Sequence, residues 1–253
     1  MILDAFKLDG KVAIVTGAST GLGQGMSLAL AEAGASVVGV DYIEMPDTEE
    51  KMKAIGAKFV GVVANLMTID PLQSIIDTAV EKFGSVDILV NNAGIIRRED
   101  AIEFSEQNWD DVININLKTV FFFSQAAAKQ FVKQGTGGKI INIASMLSFQ
   151  GGIRVPSYTA SKSAVYGITR SMANEWASKG ININAIAPGY MATNNTAQIR
   201  SDKDRSEAIL DRIPAGRWGT PDDMRGTVVF LASSASDYIN GYAIAVDGGW
   251  LAR

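Results

Sequence analysis

The chain has 253 residues, with 23 Lys and Arg against 27 Asp and Glu, a formal net charge of −4. At ~100–200 residues per domain this is one large domain or two small ones, and 47% hydrophobic residues with no basic excess speak for a globular protein without a nucleic-acid footprint. Neither Cys nor His occurs, which excludes thiol nucleophiles, Cys- or His-based metal centres and imidazole catalysis, and leaves Asp, Glu, Lys or Tyr for proton transfer.

Taken in chain order, short apolar runs alternate with segments of helical period. Val12–Val15 is a buried-strand run that ends at Gly17, Gly21 and Gly23. From Leu22 the apolar residues Met26, Ala29, Leu30 and Ala33 recur at helical spacing, up to Gly34. Strands follow at Val37–Val40 and Phe59–Val63. Leu72, Ile75, Ile76, Ala79, Val80 and Phe83 then mark one face of an amphipathic helix. Val86–Val90 is a fourth strand, and a long helix is expected from about Trp109 to Gln134. Lys139–Ala144 is a fifth strand, and a helix over about Ser157–Lys179 leads to a sixth at Ile181–Ala187. A helix over 221–232 and a strand over 242–246 close the chain.

This alternation predicts an α/β fold: a single doubly wound domain over 1–253, about seven parallel strands with helices on both faces. The strands are near-continuous apolar runs, as burial on both faces requires. The first residues, Met1–Lys7, carry no apolar signal-peptide region, and no run reaches the ~18 apolar residues of a membrane span. A cytoplasmic protein that engages no membrane, nucleic acid or metal is expected.

Two motifs carry chemistry. Thr16-Gly17-Ala18-Ser19-Thr20-Gly21-Leu22-Gly23 lies between the first strand and first helix. Glycines there let the backbone turn tightly and approach a phosphate, and the helix N-terminus offers free N–H groups to a pyrophosphate. Asp41 ends the second strand, where a carboxylate binds the adenosine ribose hydroxyls and repels a 2′-phosphate. NAD is therefore expected in preference to NADP. The second motif is Tyr158 and Lys162, four apart and so on one helix face. A close ammonium favours the phenolate over the phenol, whose ordinary pKa of ~10 is too high for a base.

With Asn91-Asn92-Ala93-Gly94, Asn116, Ser145 and Pro188-Gly189 added, the chain resembles the short-chain dehydrogenase/reductase family over essentially its whole length. The resemblance implies that Tyr158 is the general acid/base, that Ser145 holds the reacting oxygen, that Lys162 binds the nicotinamide ribose and that Asn116 holds a relay water. It places Gly17, Ser19, Thr20, Gly21, Leu22, Gly23, Asp41, Asn65, Leu66, Asn92, Ala93 and Gly94 along the dinucleotide, with Pro188, Gly189, Met191 and Thr193 around the nicotinamide. Asn65 stands where the family usually has Asp toward the adenine. Its amide oxygen can still accept a hydrogen bond.

The segment 189–217 is polar and rich in breakers, and is expected to form a mobile lid over the substrate. Arg97, Arg98 and Arg154 lie where the cleft should open, and an arginine can hold a carboxylate by two parallel hydrogen bonds. Arg154 is the expected anchor, beside Ser145 and Tyr158, for a keto sugar acid. The stretches 142–158, 187–195, 212–219 and 246–253 resemble a branch of the family from bacterial pectin and hexuronate breakdown. That branch carries out hydride transfer at C5 of 2-dehydro-3-deoxy-D-gluconate. Family resemblance also implies a homotetramer. Rival readings are a 3-oxoacyl-carrier-protein reductase, another sugar-alcohol dehydrogenase, or a dinucleotide sensor without turnover.

Overall fold

The computed structural model describes all 253 residues. Seven strands form one sheet: β1 Val12–Thr16, β2 Ser36–Asp41, β3 Phe59–Val63, β4 Ile88–Asn91, β5 Gly138–Ile143, β6 Ile181–Pro188 and β7 Ala243–Val246. Every pairing is parallel, in the order β3-β2-β1-β4-β5-β6-β7. The doubly wound domain read from the strand–helix alternation is thus the observed one.

Side chains alternate across the pleat and supply two cores. Ala13 and Val15 face α1 (Gly21–Glu32) and α9 (Pro221–Ala232), in a cluster with Met26, Leu30, Met224 and Val228. Val12 and Ile14 face α3 (Leu72–Phe83), α5 (Thr119–Gln134) and α6 (Pro156–Trp176), with Ile75, Phe123, Phe131 and Met172. The chain runs outward from β1 to β3 and returns through α3 to β4. The crevice where the order reverses therefore opens at the C-terminal ends of β1 and β4.

Three elements differ from the expectation. The helix expected over 109–134 begins earlier, as α4 Glu106–Ile113, where the Ser105 side chain accepts the Asn108 N–H. It is then broken by a π-turn at Asn114–Lys118 before α5 resumes. A helix absent from the sequence reading, α2 Pro46–Ala54, has Pro at its start, acids in its first turn and lysines in its last. The segment 189–217 is not open loop either. It contains the short helices α7 Ala197–Ser201 and α8 Lys203–Arg212, and Ile199, Ile209 and Ile213 pack on Met146 and Trp250.

Candidate active site

The crevice is lined first by the glycine loop. Gly17 and Gly21 hold φ of +68° and +59°, which a side chain disfavours. A Cβ on Gly23 would lie 1.9 Å from the Gly17 carbonyl oxygen, so only glycine lets α1 start this close to β1. Thr20 makes no side-chain cap, so the first amides of α1 stay open to a phosphate. Asn92 braces this loop and does not face outward: its Nδ2 donates to the carbonyls of Thr16 and Gly17 at 2.8 and 3.2 Å. The Thr16 hydroxyl accepts the N–H groups of Asn92 and Ala93, both at 2.9 Å.

Asp41 ends β2 beside that loop and is buried. One carboxylate oxygen accepts the Ser19 N–H at 2.9 Å, the other the Tyr42 N–H at 2.8 Å. A fixed negative charge thus sits against the loop. Asn65 follows β3 and turns its amide oxygen back on the Met67 N–H at 3.0 Å, while the Leu66 carbonyl accepts the Thr119 hydroxyl at 2.7 Å. Across the crevice, Thr193 stands over the glycine loop, its Cγ2 in van der Waals range of a Cβ on Gly21. Pro188 ends β6, Gly189 donates to the Val246 carbonyl, and Met191 is buried where it bridges Gly219. The glycine turns, the open helix end and the buried Asp41 fit an adenine dinucleotide.

Ser145, Tyr158 and Lys162 converge at the far end of the crevice. Ser145 leaves β5 and is buried. Its Oγ accepts the Leu147 N–H at 3.1 Å, so its own hydrogen is free to donate. Lys162 is buried beneath Tyr158, with Nζ 5.6 Å from the ring centre and donating to the Ile143 carbonyl at 2.6 Å. Burial alone lowers the Lys162 ammonium to about 8. Burial also raises the half-buried Tyr158 phenol, against a hydrogen bond from Ser145 and the charge of Arg98, which pull it down. In the protein alone burial outweighs both, and the phenol stands above its ordinary value. Ser148 locks the two chains together: its Oγ donates to the Lys162 carbonyl at 2.6 Å and accepts the Ser145 N–H at 3.3 Å.

Asn116 is fully buried in the π-turn. Its Oδ1 accepts the Ile95 N–H at 2.9 Å, and its Nδ2 donates to the Ile95 carbonyl and the Ser161 hydroxyl. The side chain is thus committed to the backbone beside Gly94. A Cβ on Gly94 would meet the Asn116 Oδ1 at 2.9 Å.

The three cleft arginines separate. Arg97 faces Asp111 at 3.4 Å. Arg154, in a left-handed conformation at φ +64°, pairs with Asp100 at 2.9 Å and is over half exposed. Arg98 is half-buried, has no acidic partner, donates to the Asn195 carbonyl at 3.0 Å, and is the arginine whose charge acts on Tyr158. Sequence reasoning passed over Tyr190, whose ring packs edge-on against both Trp218 and Trp250. The aromatic spacing through 190, 218 and 250 was its only signal.

Residues 17–251 match the family model for enoyl-(acyl carrier protein) reductases. The chain is 69% identical to the 2-dehydro-3-deoxy-D-gluconate 5-dehydrogenase of Dickeya dadantii over the full length of both. The Bacillus subtilis enzyme of that name is 54% identical, over 99% of this chain and 98% of the relative. Among solved structures, the gluconate 5-dehydrogenase of Burkholderia cenocepacia, in complex with NADP and tartrate, is 37% identical with a TM-score of 0.95 and covers all of both chains. Full-length identity and a shared sheet leave one assignment. The chain belongs to the short-chain dehydrogenase/reductase family and is a dehydrogenase acting on CH–OH groups.

Proposed function

We propose that this enzyme transfers hydride between NAD and C5 of 2-dehydro-3-deoxy-D-gluconate, in the cytoplasm, as a step of pectin and hexuronate breakdown. The observation that carries the reading is an arginine without a carboxylate partner, Arg98, set beside the Tyr158 phenol. The 69% identical relative supports the substrate. When bound, the dinucleotide supplies the carbon that accepts the hydride. Tyr158 Oη takes the proton of the substrate hydroxyl as the C–H bond breaks. Ser145 Oγ donates to that same oxygen and holds it in place. Lys162 lies beneath the phenol and binds the nicotinamide ribose. Asn116 acts in the relay through its main-chain carbonyl, since Ile95 and Ser161 occupy its side chain.

We assign the carboxylate to Arg98 in place of Arg154, because Asp100 already neutralises Arg154. NAD is the proposed cofactor because the buried Asp41 charge repels a 2′-phosphate. An NADP-bound structure exists for an Agrobacterium tumefaciens protein 52% identical to this chain with a TM-score of 0.91, covering 98% of this chain and 99% of that one. The choice of dinucleotide is therefore tested directly.

Initial rates are measured with 2-dehydro-3-deoxy-D-gluconate and a panel of neutral sugars, using NAD and NADP. The expected result is turnover of the acid, a higher kcat/KM with NAD, and a KM for the acid that rises in Arg98→Ala but not in Arg154→Ala. Activity confined to neutral sugars or acyl thioesters would overturn the substrate. Equal or better kcat/KM with NADP would overturn the cofactor.

A further inference from the structure

We infer that Arg205, carried on the lid helix α8, is the second arm of the carboxylate site and makes the enzyme select acids over neutral sugars. The inference rests on the reading of Arg98 as first arm, and its evidence lies in how α8 is seated. Ile209 and Ile213 sink into the cluster formed by Met146 and Trp250, which fixes the inward face of the helix. Arg205 is one turn before Ile209 on the same side of the helix, where its side chain is exposed. Arg212, two turns on, lies over the Trp250 ring at 4.1 Å. Trp250 in turn packs edge-on to Tyr190, with ring centres 4.8 Å apart. This side of α8 therefore carries its arginines toward the half-buried Tyr190 phenol. The electrostatics agree with this placement: the charges of Arg205, Arg212 and Arg98 all reach Tyr190, and Arg205 opposes the charge of Arg98.

Arg205 stands apart from the other arginines in having neither an acid, a ring nor a carbonyl at its guanidinium. Four arginines meet acids: Arg97 with Asp111, Arg154 with Asp100, Arg217 with Asp223, and Arg225 with Glu32 and Asp222; Arg170 lies over the Tyr166 ring, and Arg200 and Arg253 donate to the Thr193 and Asp211 carbonyls. Arg98, Arg205 and Arg212 have no carboxylate within reach of a salt bridge. Arg212 is occupied by Trp250 and Arg98 reaches the Asn195 carbonyl at the start of the lid. The Arg205 guanidinium makes no hydrogen bond to the chain; its one bond is from its backbone N–H to Asp202. Like charges gathered round one cleft without a counter-ion raise one another's energy, and an anion between them relieves it. A substrate carboxylate supplies that anion, with two guanidinium forks to hold it. A neutral sugar would leave the repulsion in place, so selectivity comes from the empty cluster as well as from the filled one.

The test compares 2-dehydro-3-deoxy-D-gluconate with its C1 carboxamide, in wild type, Arg205→Ala, Arg205→Lys and Arg98→Ala, with NADH binding followed by fluorescence. Arg205→Ala is expected to raise KM for the acid about tenfold or more, the size of one charge-assisted hydrogen bond. It should leave KM for the amide and the affinity for NADH unchanged. Arg205→Lys should restore part of the loss, since it keeps charge and loses the fork. If Arg98→Ala collapses the acid-to-amide preference and Arg205→Ala leaves it at the wild-type value, the role of Arg205 is overturned and that of Arg98 stands. If neither variant changes the preference, the carboxylate reading of the whole site is overturned.

Discussion

At the scale of single residues, the buried Lys162 ammonium makes the apoprotein's stability depend on pH in a defined direction. Its pKa falls from 10.5 to about 8 on folding. Below about pH 8 both folded and unfolded states hold the proton, and the burial penalty is fully present. Between about 8 and 10.5 the native state releases the proton while the unfolded chain keeps it. The unfolded state then binds more protons, so stability rises with pH. The shift corresponds to about 3 kcal/mol. Urea unfolding without dinucleotide should show Lys162→Met gaining on wild type at pH 7, with that advantage shrinking toward pH 10. A difference flat across that range would mean that the ammonium is solvated. Tyr158→Phe removes only the hydroxyl. It should cut turnover about 10²–10⁴-fold, the range for a general acid/base, with melting temperature and dinucleotide affinity unchanged. Residual turnover near wild type would remove Tyr158 from the chemistry. Tyr158 and Lys162 were legible in the sequence because a spacing of four puts them on one helix face, and Ser145 was read only from the family resemblance. The choice between Arg98 and Arg154 was not, since it depends on where Asp100 falls, 54 positions before Arg154.

At the scale of elements, the strands and the helix over Leu72–Phe83 stand where periodicity placed them, because burial on a defined face is what periodicity records. The long helix before β5 shows the limit. Its apolar pattern runs on through Asn114–Lys118, yet the Asn116 side chain bonds Ile95 and the helix widens by one residue to allow it. No periodic signal marks a bond to a residue 21 positions away. The helix α2 was missed for the opposite reason: it is nine residues long and mostly polar, so only its Pro46 start and charge gradient marked it. The glycine loop gives the sharpest test at this scale. Gly23→Ala drives a Cβ into the Gly17 carbonyl, 1.9 Å away. The start of α1 must move outward, at a cost of about 1–3 kcal/mol for overpacking. Dinucleotide affinity should fall with it, measured by NADH fluorescence titration. A variant that binds NADH as wild type does would show that α1 is free to shift without cost to the phosphate site.

At the scale of the whole molecule, the sheet has an unfinished end. β7 is its last strand and pairs only with β6, so its outer edge offers unpaired backbone groups. Beside it, a groove is lined by Phe149, Tyr166, Tyr242, Ala243 and Leu251, with Phe149 48% and Tyr242 60% exposed. A lone chain would leave that apolar surface and that edge in water, and a second copy related by a two-fold axis would cover both at once. This supports the homotetramer expected from family resemblance, with the β7 side as one of its contacts. Light scattering should then give about 108 kDa, four times the 26.9 kDa chain. Ala245 is exposed on β7, so Ala245→Arg should cost a single chain little, within about 0.5 kcal/mol. In the assembly the same substitution would bury a charge at the contact. The variant should therefore fall to a smaller species while keeping its melting profile and its affinity for NADH. A wild-type mass near that of one chain would overturn the tetramer. An assembled Ala245→Arg variant would move the contact from β7 to the outer faces of α5 and α6.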